Sequence, residues 1–394
     1  MKTTRSKDYL NYAKTLSFLI VIAGILLYFM KENYGRYGYY VNYIVDFHIG
    51  FVSRALVGSI ISLFSDSIVT ESAAANFSFF SGLLTNIALF SLLCVVICKV
   101  NRKYQTFVFI VLLFFLLSPV LYKYYFTLAY GWLDVLWLLT FFSCILCLKN
   151  KYLSFMITVL CSLGISFHYA FSFLVLPSIL ALQYYEMHKS KFEKVRIFSF
   201  TLNIAVSLCL SIYYLLFATT KMTSEEFYAY VESKSAFGSN YWKWDEYWEL
   251  FYYQYLKRTP STATAAVSQW AKPSFPGLSE SLEIFASVAL LIIFFSTIWF
   301  IACRLSLKTG GKLLYIGLLL LPIFTSVIFF TGADYGRWVS AFSCSQFIVF
   351  FYLLQDEDSI VSKTILPNKK MRIYTLAGMF AAFLSAQYFG AHLP

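Results

Sequence analysis

Eleven apolar stretches, each 16 residues or longer, make up most of this chain; they lie near 15–30, 77–98, 106–122, 132–148, 152–168, 170–186, 197–219, 283–303, 313–331, 338–354 and 373–391. About 20 apolar residues in a helix cross the hydrocarbon of a bilayer. The runs are continuous and lack the alternation that a membrane β-barrel requires. The pattern predicts an all-α, polytopic integral membrane protein with about eleven transmembrane helices. Charged residues supply only 13% of the chain, about half their share in soluble domains. Phe and Tyr are abundant, and their rings suit lipid and the membrane interface.

The formal net charge is +11. In a soluble protein such a surplus suggests nucleic acid, but no Lys/Arg-rich block of that type occurs. Here basic residues are expected to mark cytoplasmic loops. With the N-terminus placed in the cytoplasm, 20 of the 31 Lys and Arg fall in cytoplasmic segments, and the C-terminus emerges outside. The leading MKTTRSKDYLNYAK precedes an apolar run with no small-residue cleavage site after Met30, so it reads as an uncleaved first span. All eight cysteines sit inside apolar runs. Cys144 and Cys147 have CxxC spacing but lie mid-span, where small packing residues are expected and neither a disulfide nor a metal is. No internal repeat is visible, and residues 1–394 read as a single membrane domain.

Two outer loops are long. In the first, 31–76, the segment Gly50 to Phe64 has a helical pattern over 15 residues, about 22 Å at the helical rise. That is too short to cross and suits a re-entrant or interfacial helix. Gly50, Arg54, Gly58 and Ser62 would form one small-and-polar stripe along it. The second loop, 220–282, opens with Thr223-Ser224-Glu225-Glu226, a helix-start signal. Tyr241, Trp244, Trp248, Tyr252 and Tyr255 then follow helical spacing, predicting an amphipathic helix lying on the membrane and ending near Pro260. Its rings either anchor at the interface or stack on sugar rings. Lys257 and Arg258 follow, placed for phosphate or lipid head groups.

Asp46, His48, Arg54, Asp134, His168, Asp334 and Arg337 all lie at the ends of stretches and thread to the same outer side. A transporter tends to hide its polar residues near the midplane, whereas an enzyme working on lipid head groups needs them at the interface. In Asp46 to Arg54, a carboxylate could serve as general base for a hydroxyl and a guanidinium could fork to phosphate. The plainer alternative is an Asp46–Arg54 ion pair that seals the loop. Asp134 lies just inside an apolar run, where a carboxylate is costly unless paired or facing water. It is either functional or half of a structural salt bridge. His168 either orients a catalytic group or simply packs. With His48 it makes a weak metal signal. In Gly332 to Trp338 the glycines allow a tight turn, and Arg337 beside Trp338 suits a phosphate or pyrophosphate, or interfacial anchoring. No phosphate-cradling glycine loop, Ser/His/Asp triad or zinc spacing appears on the cytoplasmic side. No cofactor is therefore expected, and the energy for any synthesis must arrive with an activated lipid-linked donor.

An acidic residue in the first outer loop, followed by a short juxtamembrane helix, resembles the polytopic glycosyltransferases of the GT-C type. The chain length, the eleven spans, the large late outer loop and the outer arginines resemble O-antigen or capsule polymerases of the Wzy type. The resemblance implies a polyprenyl-linked glycan substrate at the outer face of the bacterial inner membrane, with other polysaccharide-assembly proteins as partners. Under it, Asp46 matches the acidic residue of the GT-C first loop and Arg337 a pyrophosphate-binding arginine. The expected roles are Arg337 and Arg54 on the donor pyrophosphate and Asp46 or Asp134 as base. His168 would orient one of them. His48 and Asp334 would stand at the substrate, and the helix bearing Trp244 and Trp248 would cover the site. Addition of a single sugar is the near alternative. Transport of lipid-linked sugars is the alternative of another class, disfavoured because the apolar runs hold almost no charge near their centres. An acyltransferase would need a histidine reachable from the cytoplasm, and His48 and His168 thread to the other side.

Overall fold

The computed structural model of the chain describes residues 17, 20–32, 41–64, 69–118, 121–127, 130–234, 252, 278–306, 311–326 and 335–392. Among them no β-strand occurs. The helices are α1 (20–32), α2 (Val41–Ile44), α3 (Leu56–Ser62), α4 (Glu71–Lys99), α5 (Arg102–Leu117), α6 (Asp134–Leu148), α7 (Met156–Phe167), α8 (Phe171–Leu174) and α9 (Leu176–Lys189). They continue with α10 (Lys194–Leu216), α11 (Ser224–Lys234), α12 (Leu278–Leu305), α13 (Lys312–Ser326), α14 (Tyr335–Leu354), α15 (Ile360–Ile365) and α16 (Lys369–His392). Short 3-10 turns lie at Phe47–Ile49, Tyr122–Phe126 and Leu153–Phe155.

Among the described residues, four helical segments are long and apolar enough to cross a membrane: α4, Arg102–Phe126, α10 and Arg337–Leu354. Shorter apolar helices cover Asp134–Leu148, Leu153–Phe167, Ala289–Leu305 and Lys312–Thr325. Backbone groups in hydrocarbon must be satisfied within the chain, and a helix does this without partners. The ends are set by side chains. Thr70 accepts from Ala73 N at 3.2 Å to start α4, and Asn101 accepts from Lys103 N at 3.3 Å to start α5. The helix start expected at Thr223 is present as a reciprocal cap: Glu226 N donates to Thr223 Oγ1 at 3.2 Å, and Thr223 N to Glu226 Oε2 at 2.8 Å.

The core is built around α14, whose membrane-length window is wholly buried. It packs on α4, α6, α8, α9, α12 and α15. It also carries Ser340, Ser343, Ser345 and Gln346, all buried. Gln346 Oε1 accepts from Trp299 Nε1 at 2.9 Å, and Ser345 Oγ donates to Leu174 O at 3.1 Å. Polar side chains in a spanning helix face protein rather than lipid. The α10 window, richer in apolar groups, is only 22% buried.

Two expected helices are not continuous. The stretch 170–186 breaks at Val175 into α8 and α9, and Pro177 stands in the first turn of α9. Proline has no N–H to extend a preceding helix but fits a first turn. The interfacial helix expected from Gly50 to Phe64 shrinks to α3. Gly50 has φ 122° and Arg54 φ 74°, both outside helical geometry, so the stripe Gly50, Arg54, Gly58, Ser62 does not share one helix face. Gly58 has a different reason to be glycine. A Cβ there would sit 2.1 Å from the Val45 carbonyl oxygen, because α3 runs onto that backbone. The aromatic helix expected over 241–255, with Trp244 and Trp248, lies outside the described residues except for Tyr252, as do Arg258 and Asp334. Tyr252 is buried, and its hydroxyl donates to Met222 O at 2.5 Å.

Candidate functional site

Asp46 caps the 3-10 turn Phe47–Ile49. Its carboxylate is 1% exposed and accepts from three groups: Lys234 Nζ at 2.7 Å, His48 N at 2.8 Å and His48 Nδ1 at 2.9 Å. Burial pushes its pKa up. The hydrogen bonds from Lys234 and His48, with the Tyr230 hydroxyl beside them, outweigh burial and hold the carboxyl below the usual carboxylate value. Lys234 also lies over the Tyr230 ring, 5.3 Å from its centre. The His48 side chain is 77% exposed. Asp46 therefore fixes one ring nitrogen and leaves an imidazole standing in the open.

An aromatic floor forms on the same loop. Phe47 and Phe51 stack at 5.2 Å, and Phe51 packs on Tyr214 at 5.5 Å and Tyr213 at 5.6 Å. Phe47 and Phe51 are both exposed. Large exposed rings beside a polar group suit either a sugar face or the interface.

Farther along the same loop is Arg54, 1% exposed. A non-glycine residue at positive φ costs about 1–2 kcal/mol. The strained backbone is held by a hydrogen bond from Arg54 N to Ser166 O at 3.2 Å. Its Nη2 meets His168 Nε2, and its Nη1 donates to Asn42 Oδ1 at 3.4 Å. His168 is buried just past the end of α7, and its Nδ1 accepts from Ala170 N at 3.0 Å. The Asp46–Arg54 ion pair foreseen as one alternative is thus not formed: Asp46 faces Lys234 and His48, while Arg54 faces His168 and Asn42.

Asp134 opens α6 and is fully buried. Arg337, near the start of α14, grips it with both edges of its fork: Nε to Oδ2 and Nη2 to Oδ1, each 2.7 Å. The guanidinium also stacks over Trp132, 3.8 Å from the ring centre. Planar bidentate pairing of this kind is what arginine does and lysine does not. Trp137, one turn along α6, meets His168 edge to face at 5.3 Å. Tyr43, next to Asn42, donates to Gly131 O just before Trp132. Arg54, His168 and Trp137 thus contact one another, and Asp134 and Arg337 pair at the start of the same helix α6. Asp46 and His48, on the loop that precedes Arg54, form a separate group with Lys234.

Among the described residues no three His, Cys, Asp or Glu side chains gather as a metal site. Reasoning from the sequence missed Lys234, Tyr230 and the Phe51–Tyr213–Tyr214 contacts. Lys234 stands 188 positions from Asp46, and no local signal ties the two. No protein-family model matches the chain, and no curated protein or solved structure matches it.

Proposed function

We propose that this chain is a membrane glycosyltransferase that polymerises lipid-linked oligosaccharide units. In this reading it has eleven spans, a cytoplasmic N-terminus and the groups above at the outer face of the bacterial inner membrane. The observation that carries the reading is the exposed His48 imidazole, oriented by buried Asp46 on a loop that also exposes the stacked Phe47 and Phe51 rings. The acceptor sugar's hydroxyl oxygen attacks the anomeric carbon of the donor. The bond from that carbon to the pyrophosphate oxygen breaks, and its electron pair leaves with the polyprenyl pyrophosphate. The hydroxyl proton passes to the open ring nitrogen of His48, and Asp46 steadies the imidazolium. Asp46 is better suited to that supporting role than to taking the proton itself, because its lowered pKa makes it a weak base. Arg54 and Arg337, buried and held by His168 and Asp134, act on the charge that grows on the leaving group through their field and not by direct contact. The aromatic floor holds the sugar ring.

The test is reconstitution of the purified chain in liposomes with a polyprenyl-pyrophosphate-linked oligosaccharide. Products longer than one unit are expected. His48→Ala and Asp46→Asn should abolish them while the protein keeps its cooperative thermal unfolding. Growth by one sugar only, from a polyprenyl-phosphate donor, would favour the single-addition enzyme. Full polymer length from His48→Ala would remove the proposed base.

A second reading, transport of a lipid-linked sugar, has one observation in its favour. Asp134 and Arg337 form a buried ion pair at the mouth of central α14, and charges inside a membrane bundle mark pathways. Movement of labelled lipid-linked sugar across the bilayer without bond formation would favour it.

A further inference from the structure

Two of the helices that carry candidate residues at one end, α6 and α14, border a polar cavity at the other. α6 runs from Asp134 to Leu148, followed by Lys149; α14 ends at Leu354, followed by Gln355. α4 ends at Lys99 and α9 at Lys189. These four ends border an open cavity of about 390 Å³ whose wall carries Lys99, Lys149 and Lys189 together with Glu186, Asp356 and Glu357, and with Tyr352 and Gln355 among them. The negative ends of helix dipoles favour cations, which accounts for three lysines collecting there.

The acidic groups are mostly engaged. Glu186 Oε1 accepts from Tyr352 at 2.6 Å; Asp356 Oδ2 accepts from Lys189 Nζ at 2.5 Å and from Tyr185 at 2.9 Å. Glu357 is exposed. Lys99 and Lys149 have no carboxylate within ion-pair distance among the described residues. They approach each other instead, and partial burial together with the neighbouring Lys99 lowers the Lys149 amine to about 8. Gln355 is 5% exposed, yet its amide oxygen has no hydrogen-bond partner. A buried acceptor without a partner is costly, and this one belongs to a residue that lines the cavity.

We infer that this cavity binds a phosphate group, with Lys99 and Lys149 meeting its charge and the Gln355 oxygen accepting from its hydroxyl or from an adjoining head-group hydroxyl. Two ammoniums facing one space match a multiply charged oxyanion, and the volume admits more than the phosphate alone. Basic pockets between membrane helices are suited to anionic head groups. A soluble phosphate presents the same chemistry, and the two sources are separable by experiment. The inference does not depend on the glycosyltransferase reading, and its readouts are not enzymatic.

The full chain in detergent would be exposed to phosphatidic acid, to phosphatidylcholine or to inorganic phosphate. Retained lipid would be read by native mass spectrometry. Acylation of Lys149 by a lysine-selective ester at pH 8 would be read by peptide mapping. Lys149 should react faster than ion-paired Lys189, and the bound ligand should slow it. Phosphatidic acid should be retained over phosphatidylcholine, with affinity falling about fivefold for each of Lys99→Gln and Lys149→Gln. Protection by phosphatidic acid alone identifies a lipid head group; equal protection by inorganic phosphate identifies a soluble ligand. Equal retention of both lipids, with no slowing of Lys149 acylation by either phosphate source, overturns the inference. If a variant fails to fold, protection of Lys149 in the unaltered chain still decides.

Discussion

The fork between Arg337 and Asp134 shows what a single buried charge demands. Asp134 is fully buried, and an unpaired carboxylate there would be strongly disfavoured. Asp134→Ala should lower stability by about 3–5 kcal/mol, the usual cost of leaving one buried partner alone. The double change Asp134→Leu with Arg337→Met should cost much less, because neither charge is then stranded. Thermal unfolding in detergent separates these outcomes; equal losses for single and double changes would mean the pair is exposed to water. Asp46 gives a pH signature. Its folded pKa lies below the value it has unfolded, so its network stabilises the fold above the unfolded carboxylate pKa. That contribution is lost as pH falls through the lower folded value. Acid unfolding of Asp46→Asn should therefore be less steep than that of the unaltered chain, with the difference confined to pH below about 4. The sequence made Asp134 conspicuous as a charge in an apolar run, but its partner is 203 positions away. A residue's need for a counter-charge is legible locally, whereas the identity of that charge is decided by packing.

At the scale of elements, hydropathy located the helices and misjudged two of their continuities. The run 170–186 looked like one span because a window average does not register the backbone break at Val175 ahead of Pro177. The segment Gly50 to Phe64 looked helical because its apolar spacing is right, yet Gly50 and Arg54 take positive φ and only α3 remains. Gly58 tests this local account. Gly58→Ala should destabilise well beyond the roughly 0.5–1 kcal/mol that alanine normally gains over glycine in a helix, since its methyl meets the Val45 carbonyl at 2.1 Å. Gly317→Ala in α13, with open space around it, should be neutral or slightly stabilising. Equal melting shifts for the two would mean that α3 can move off Val45. The position of α14 was hidden for a different reason. Its serines and Gln346 dilute its apolar character, and that dilution itself marks the helix as central, because polar side chains in a spanning helix face protein rather than lipid; Ser345 and Gln346 bond to α8, α9 and α12.

For the molecule as a whole, two polar groupings stand apart along the same helices. Arg54 reaches α6 through His168 and Trp137, Arg337 grips Asp134 at the start of that helix, and Lys99, Lys149 and Lys189 share a cavity at the other ends of α4, α6 and α9. α4 alone is 29 residues long, about 43 Å at the helical rise, which exceeds a hydrocarbon core of about 30 Å. If α4 crosses, the loop bearing His48 and the cavity bearing Lys99 and Lys149 face opposite compartments. His48→Cys and Lys149→Cys, each placed in a background with the eight native cysteines replaced, should then differ in reach. A membrane-impermeant maleimide added to intact cells should modify the cysteine at position 48, whose side chain is largely exposed. It should modify the one at 149 only after the membrane is permeabilised. Modification of both from outside would show that α4 does not traverse the bilayer, and it would remove the arrangement in which the lysine-rich end and the histidine-bearing end serve two different compartments.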